Sequence, residues 1–298
     1  MPSADTASPA SSSVRGITCM VVGMALITFS NAVTKALTIG YPPGEVVVLR
    51  AVFVFLPIAF LVWRDGGFTA LKINNPFGQS VRAGFLILST FLMIIALRLL
   101  PLADVMAITF AGPLIITALA GPMLGEHVGW RRWAAVFVGF SGILVMLKPD
   151  PDVFKLAALL PLGVAFSSSM RDLVTRRISA GESSTAILFF STCAVLVSGL
   201  LTLPFSAVAV VPSDLPLFAL AGCLQGAAHY VLIEAFRHGE AAVVAPFKYS
   251  ALLWATVFGA LIFGDFPDNW IWGGSVPVIL SGLYILHRES LARRGRLR

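Results

Sequence analysis

Apolar residues in this chain of 298 residues gather in long runs, with polar residues confined to the short breaks between them. About 20 apolar residues cross a bilayer as a helix. Ten runs qualify, at 16–37, 44–63, 80–100, 103–124, 130–147, 153–174, 184–204, 214–237, 241–264 and 270–287. The breaks are rich in Pro, Gly and Asn, as in "GYPPGE" and "INNPFG", and none is long enough to fold alone. Arg82 and Arg98 bracket the third run tightly and are expected to snorkel to its two surfaces.

Inside the runs, polar residues recur at helical spacing. Gly222, Gln225, Gly226 and His229 follow an i, i+3, i+4, i+7 pattern and form one stripe. Gln and His are costly against lipid, so the stripe should face the bundle interior. The alternative is close helix packing through the small residues of "GCLQG". Thr28, Asn31 and Lys35 make a similar stripe in the first run. Met106, Thr109, Phe110, Pro113 and Thr117 do so in the fourth, where Pro113 weakens the backbone. For the serines of "FSSSM", bonding back to their own helix is the simplest expectation.

Composition fixes the class. The chain is 57% hydrophobic and 12% charged, against about a quarter charged in soluble domains, and its mean hydropathy is +0.89. Together these define an integral membrane protein. A pI near 9.6 does not signal nucleic acid, because the basic residues are spread thinly between apolar runs. Cys19, Cys193 and Cys223 have no zinc or redox spacing and read as small packing residues. No cofactor or metal is implied. The opening "MPSADTASPASSS" lacks the charge and apolar core of a signal peptide and reads as a disordered tail, with the first run uncleaved.

Lys and Arg set the orientation. With the N-terminus cytoplasmic, fifteen of the 21 fall inside, and only Arg98, Lys148 and Lys155 fall outside. That bias places both termini in the cytoplasm. The basic end, "HRESLARRGRLR", serves as a topology anchor, with contact to anionic lipid as the alternative.

The chain also repeats itself. Residues 96–149 align with 235–288 at an offset that pairs Arg98 with Arg237, Thr109 with Lys248, Thr117 with Thr256, Glu126 with Asp265 and Trp133 with Trp272. Each unit has five runs, an odd number, so the second copy must enter from the opposite side. The charges agree: "GEHVGWRR" carries two arginines, while its partner "GDFPDNW" has no Lys or Arg. The expected fold is therefore an all-α integral membrane protein of ten transmembrane helices, as two inverted five-helix repeats. The units are a cytoplasmic tail at 1–15, repeats at 16–149 and 150–288, and a basic cytoplasmic tail at 289–298. Secondary transporters use such architecture to alternate access around a central site.

Chemical motifs are absent. There is no P-loop, no H-E-x-x-H, and the histidines at 127, 229, 238 and 287 are scattered, so no enzyme constellation can be named. Lys248 lies roughly 8–10 Å inside its run at 1.5 Å per residue. Its stem is long enough to snorkel out. However, Pro246 loosens the helix just before it, and its repeat partner Thr109 is on a polar stripe. Lys248, with Tyr249 beside it, is expected to face a central aqueous cavity and touch a polar or anionic part of a solute. Arg50, about two turns into its run, is expected to neutralise Glu45 or Asp104, ahead of holding a solute group. Glu126 and Asp265 are placed to favour the positive N-terminus of the next helix. No acid is found near a run's centre; Glu234, the closest, should pair with Arg237.

Over nearly its full length the chain resembles the EamA type of the drug/metabolite transporter superfamily. The resemblance rests on "FSNAVTKALTIGYPPGEVVVLR", with Lys35, Pro43 and Arg50, and on "LGE" and "FGD" followed by "SGILVML" and "SGLYIL". Asp265 stands where Glu is usual. The resemblance implies a permease, not an enzyme, in a bacterial-type inner membrane, working by alternating access. It implies a cavity lined by Asn31, Thr109, Phe110, Ser168, Gln225, His229, Lys248 and Tyr249, with Lys35, Arg50, Glu126 and Asp265 as gating or structural charges. The partners are a small-molecule solute and the lipid bilayer, with no nucleic acid; a homodimer is left open. Members of the family carry riboflavin, S-adenosylmethionine, amino acids and their derivatives, or drugs. Aromatic side chains among hydrogen-bonding ones suit a flat polar heterocycle such as riboflavin, ahead of amino-acid-derived metabolites.

Overall fold

The structure is a computed structural model that describes residues 9–124, 130–146, 156–206, 208–239, 244–266, 269–270, 272–277, 279–281 and 283–284. Glu126, Lys148, Lys155 and the basic tail lie outside the described residues.

Among the described residues every element is helical. The long helices are α1 (Pro9–Leu37), α2 (Pro43–Arg64), α3 (Pro76–Leu99), α4 (Leu102–Ile108), α5 (Ala111–Leu124), α6 (Trp130–Met146), α7 (Leu159–Ile178) and α8 (Ser184–Leu200). A short α9 (Leu203–Ser206), then α10 (Leu215–His238) and α11 (Ser250–Phe258) follow, and helical residues recur between 269 and 284. Five segments are long and apolar enough to cross a membrane unaided: Val14–Leu37, Pro43–Arg64, Pro76–Leu99, Ser184–Phe205 and Pro212–His238. Other expected runs fall short for visible reasons. The fourth is split into α4 and α5, and α7 carries Arg171, Asp172, Arg176 and Arg177.

Local chemistry sets the helix ends. Pro43 and Pro76 open α2 and α3, where a missing N–H costs nothing. The Asn75 side chain accepts from Gly78 N at 2.8 Å and caps α3, and Ser183 accepts from Ala186 N at 2.9 Å and caps α8. The break between α4 and α5 follows from Pro113, which has no N–H for the Thr109 carbonyl. Gly112 N donates to that carbonyl instead, at 2.9 Å. Ahead of α11, Ala245–Tyr249 forms a 3₁₀ turn around Pro246. Behind it, Gly259–Phe263 forms a π-helical turn that ends at Gly264, whose φ of 69° suits a residue without Cβ.

The helices pack in matched pairs. α1 lies along α10 and α3 along α7; α10 crosses α2 and α3 crosses α8; α5 packs on α7 and α11 on α1, with α2 against α8 between them. Exchanging α1 with α7, α2 with α8, α3 with α10 and α5 with α11 maps this set of contacts onto itself. One core cluster, containing Phe110, Leu114, Ala165, Tyr249 and Leu252, joins both broken segments to α7.

Gly222 and Gly226 let α10 approach α2. A Cβ on Gly222 would lie 2.5 Å from the Arg50 carbonyl oxygen, and one on Gly226 would lie 2.6 Å from Pro57 Cγ. The close-packing reading of "GCLQG" thus holds for its glycines, while the polar residues of the stripe, Gln225 and His229, turn toward the interior.

Polar contacts tie the connections at each end of the bundle. At one end Tyr41 Oη donates to Asp214 at 2.7 Å, and Lys35 pairs with Asp265 at 3.2 Å. At the other, Asn74 N donates to Glu182 at 2.7 Å, and Arg237 pairs with Glu234 at 3.4 Å, the i, i+3 contact expected from sequence.

Candidate functional site

A cavity of about 110 Å³ lies in the middle of the bundle. At ~12 Å³ per water-sized particle on this measure, it holds several waters or part of a small solute. α1 contributes Asn31, α2 Arg50, α3 Ser89 and Thr90, and the α4–α5 break Thr109 and Phe110. Ser168 and Arg171 come from α7, Gln225 and His229 from α10, and Lys248 from the 3₁₀ turn. Met24, Met93 and Met106 supply adaptable apolar wall.

Both irregular segments therefore reach the wall, at Thr109 and at Lys248. The hydroxyl of Thr109 donates back to Met106 O at 2.7 Å, which keeps the broken turn from exposing a carbonyl to apolar surroundings. On α10, Gln225 Nε2 lies 2.7 Å from His229 Nε2, within hydrogen-bonding distance. Ser30 braces this pair by donating to Ala221 O at 2.8 Å and lying 3.3 Å from Gln225 Oε1.

Tyr249 is placed behind the wall. It packs edge-on against Phe110, with ring centroids 5.2 Å apart, and its buried hydroxyl has no hydrogen-bond partner among the described residues. The other seven residues expected at the cavity line it.

Lys248 neither snorkels to a surface nor stands free. Its Nζ donates to Asp172 Oδ2, while Arg171 Nε and Nη2 donate to Oδ1 of the same carboxylate at 3.0 and 2.8 Å. Asp172, near the end of its apolar run in sequence, is buried within the bundle at 5% exposed. Arg171 and Asp172 follow Ser168 by three and four residues, so helical spacing alone puts the three on one side of α7, while the count of basic residues places Arg171 among the cytoplasmic anchors.

The remaining charges are also corrected or placed. Arg82 does not snorkel; it is 2% exposed and donates to Thr175 Oγ1 at 2.8 Å and to Ser191. Glu45 accepts from Val208 N at 3.1 Å instead of from Arg50, whose guanidinium donates to Thr34 Oγ1 at 3.2 Å and faces the cavity. Asp265, expected at a helix N-terminus, pairs with Lys35, which also donates to Leu100 O at 3.4 Å. Ser167 and Ser169 bond back to α7, and Ser169 also donates to Gly112 O at 2.9 Å across to α5.

No group of three or more His, Cys, Asp or Glu suited to a metal occurs among the described residues. A multi-helix membrane bundle with a central cavity that carries charged and hydrogen-bonding side chains, bordered by two interrupted helices, is the arrangement expected of a transporter of small molecules. The profile of the EamA-like transporter family matches residues 14–148 and again 155–287, and the chain belongs to that family: it is a transporter, not an enzyme.

Relatives of named activity are similar along nearly the whole chain. An S-adenosylmethionine uptake transporter of Rickettsia prowazekii is 29% identical over 93% of this chain and 94% of its own. A riboflavin transporter of Rhizobium johnstonii is 29% identical over 95% of each. A solved crystal structure superposes on 96% of this chain and 99% of its own, with a TM-score of 0.71 at 19% identity, so the fold is shared.

Proposed function

We propose that this protein is a secondary permease of a bacterial-type inner membrane, with ten spans in two inverted five-helix halves and both termini cytoplasmic. It moves one small organic solute at a time by alternating access, and the central cavity is its binding site. Asn31, Thr109, Phe110, Ser168, Gln225, His229 and Lys248 contact the solute, and Tyr249 sets the position of Phe110 from behind.

The observation that carries this reading is the central cavity between the two sets of helices, set with charged and hydrogen-bonding side chains and bordered by the α4–α5 break and by the 3₁₀ turn at Lys248. Discontinuous helices at a midplane site are what such carriers use to offer backbone and side-chain groups to a solute. Support for the inverted repeat comes from the double family match and from the self-matching set of helix contacts.

Riboflavin is the first-ranked substrate. Arg50, Arg171 and Lys248 line the cavity, and no carboxylate is among the described residues that line it. That wall opposes S-adenosylmethionine, whose sulfonium and ammonium outweigh its carboxylate, more than it opposes a neutral isoalloxazine that Phe110 can flank. Amino-acid-derived metabolites are the second reading, favoured by the similarity to the Rickettsia protein.

The test is uptake of labelled riboflavin and, separately, of labelled S-adenosylmethionine into proteoliposomes holding only this protein. Saturable uptake of riboflavin supports the first ranking; saturable uptake of S-adenosylmethionine without riboflavin uptake supports the second. No carrier-dependent flux of either compound rejects both substrate assignments.

A further inference from the structure

A second, smaller chamber of about 30 Å³ adjoins the central cavity between α2, α3, α8 and α10. It is bordered by Arg50, Arg82, Thr90, Thr192, Gln225 and His229, together with apolar side chains, and no Asp or Glu lines it among the described residues. Two guanidiniums, 5% and 2% exposed, thus face one small space.

Their described partners are all neutral. Arg50 donates to the Thr34 hydroxyl, and Arg82 donates to the hydroxyls of Thr175 and Ser191. A guanidinium has five N–H donors and keeps its charge, so most of the Arg50 donors have no partner among the described residues. The one deep carboxylate nearby, Asp172, is already shared by Arg171 and Lys248. Around the two chambers, Arg50, Arg82, Arg171 and Lys248 thus stand against one carboxylate, Asp172, among the described residues. A buried charge without a counter-charge costs several kcal/mol, so a second negative charge is called for.

We infer that the small chamber binds an anionic group between Arg50 and Arg82. On the volume scale used above, it holds on the order of two water-sized particles, which suits one halide with a water, or a single carboxylate. The Thr90 hydroxyl, which borders both chambers and makes no hydrogen bond among the described residues, supplies a neutral donor to the same space. Two sources fit this chemistry: free chloride, or the carboxylate of a solute seated in the central cavity and reaching through the shared wall.

Thermal melting of the purified protein in detergent, followed by tryptophan fluorescence at fixed ionic strength, separates them. Chloride is titrated against morpholinoethanesulfonate, which is too large for the chamber and carries no carboxylate, and benzoate is tested as an aromatic carboxylate. For free chloride, the melting temperature rises saturably by roughly 5 °C or more once chloride exceeds its dissociation constant about a hundredfold. For a solute-borne group, chloride has no effect and benzoate raises it. In either case Arg82→Gln removes the response. If neither anion shifts the melting temperature relative to morpholinoethanesulfonate, the inference is overturned. Should Arg82→Gln fail to fold, chlorine NMR line broadening by the parent protein decides for the free ion, with reversal by benzoate marking a shared site and no broadening or benzoate shift rejecting the inference. No flux is measured, so failure here leaves the permease reading standing.

Discussion

Lys35, in the last turn of α1, and Asp265, just beyond the π-helical turn after α11, meet at 3.2 Å and tie the two halves of the chain together at one end of the bundle. Both side chains are partly solvated, at 17% and 38% exposure, so the pair contributes on the order of 1 kcal/mol or less. That is enough to shift a two-state equilibrium a few-fold without changing the fold. Asp265→Asn should therefore raise cavity accessibility from this end by a factor of about five or less, with the melting temperature nearly unchanged. Thiol labelling of a cavity cysteine in both backgrounds checks this; an unchanged labelling rate would show that the pair is no gate.

Asp172 holds two cations, and removing it leaves Arg171 and Lys248 buried without a counter-charge. Asp172→Asn should destabilise the protein by about 3–5 kcal/mol, measurable as a lower melting temperature. Lys248→Ala removes one of those cations and leaves Asp172 paired with Arg171, so the protein should fold. Its transport should be weakened, with a higher KM or a lower rate in proteoliposomes. Transport equal to the parent in both affinity and rate would remove Lys248 from the site.

Gly222 lies where α10 meets the α2 backbone, with room for no Cβ beside the Arg50 carbonyl. Gly222→Val should push the helices apart and lower stability by about 1–3 kcal/mol. Gly84, on α3, has nothing within 4 Å of an added Cβ, so Gly84→Ala serves as the control and should melt no lower than the parent. Equal melting of both variants would mean that the α2–α10 contact is not close-packed.

Periodicity carried much of the architecture. Runs of apolar residues marked the helices, and the stripe of Gln225 and His229 marked an inward face, because exposing such groups to lipid is costly. Pro113 and Pro246 marked where backbone hydrogen bonding had to fail, and both irregular segments border the cavity. The pairing of charges was less legible. Whether Lys248 snorkels or pairs depends on α7 bringing Asp172 beside it, and whether Lys35 finds Asp265 depends on contacts 230 residues apart in sequence. Arg82 looked like a surface anchor because span ends are inferred from charge; the hydroxyls of Thr175 and Ser191, contributed by other helices, instead hold it inside. Tyr249 missed the wall because a 3₁₀ turn rotates successive side chains by about 120°, where an α-helix would turn them by about 100°.

Alternation of the central cavity between the two membrane faces is tested most directly at Ser168, on its wall. Ser168→Cys is placed in a background with Cys19, Cys193 and Cys223 replaced, and sealed vesicles of each orientation are treated with a membrane-impermeant thiol reagent. Labelling is predicted from one face in the resting protein, with the favoured face changing on addition of riboflavin. Equal labelling from both faces regardless of solute, or none from either, would contradict it.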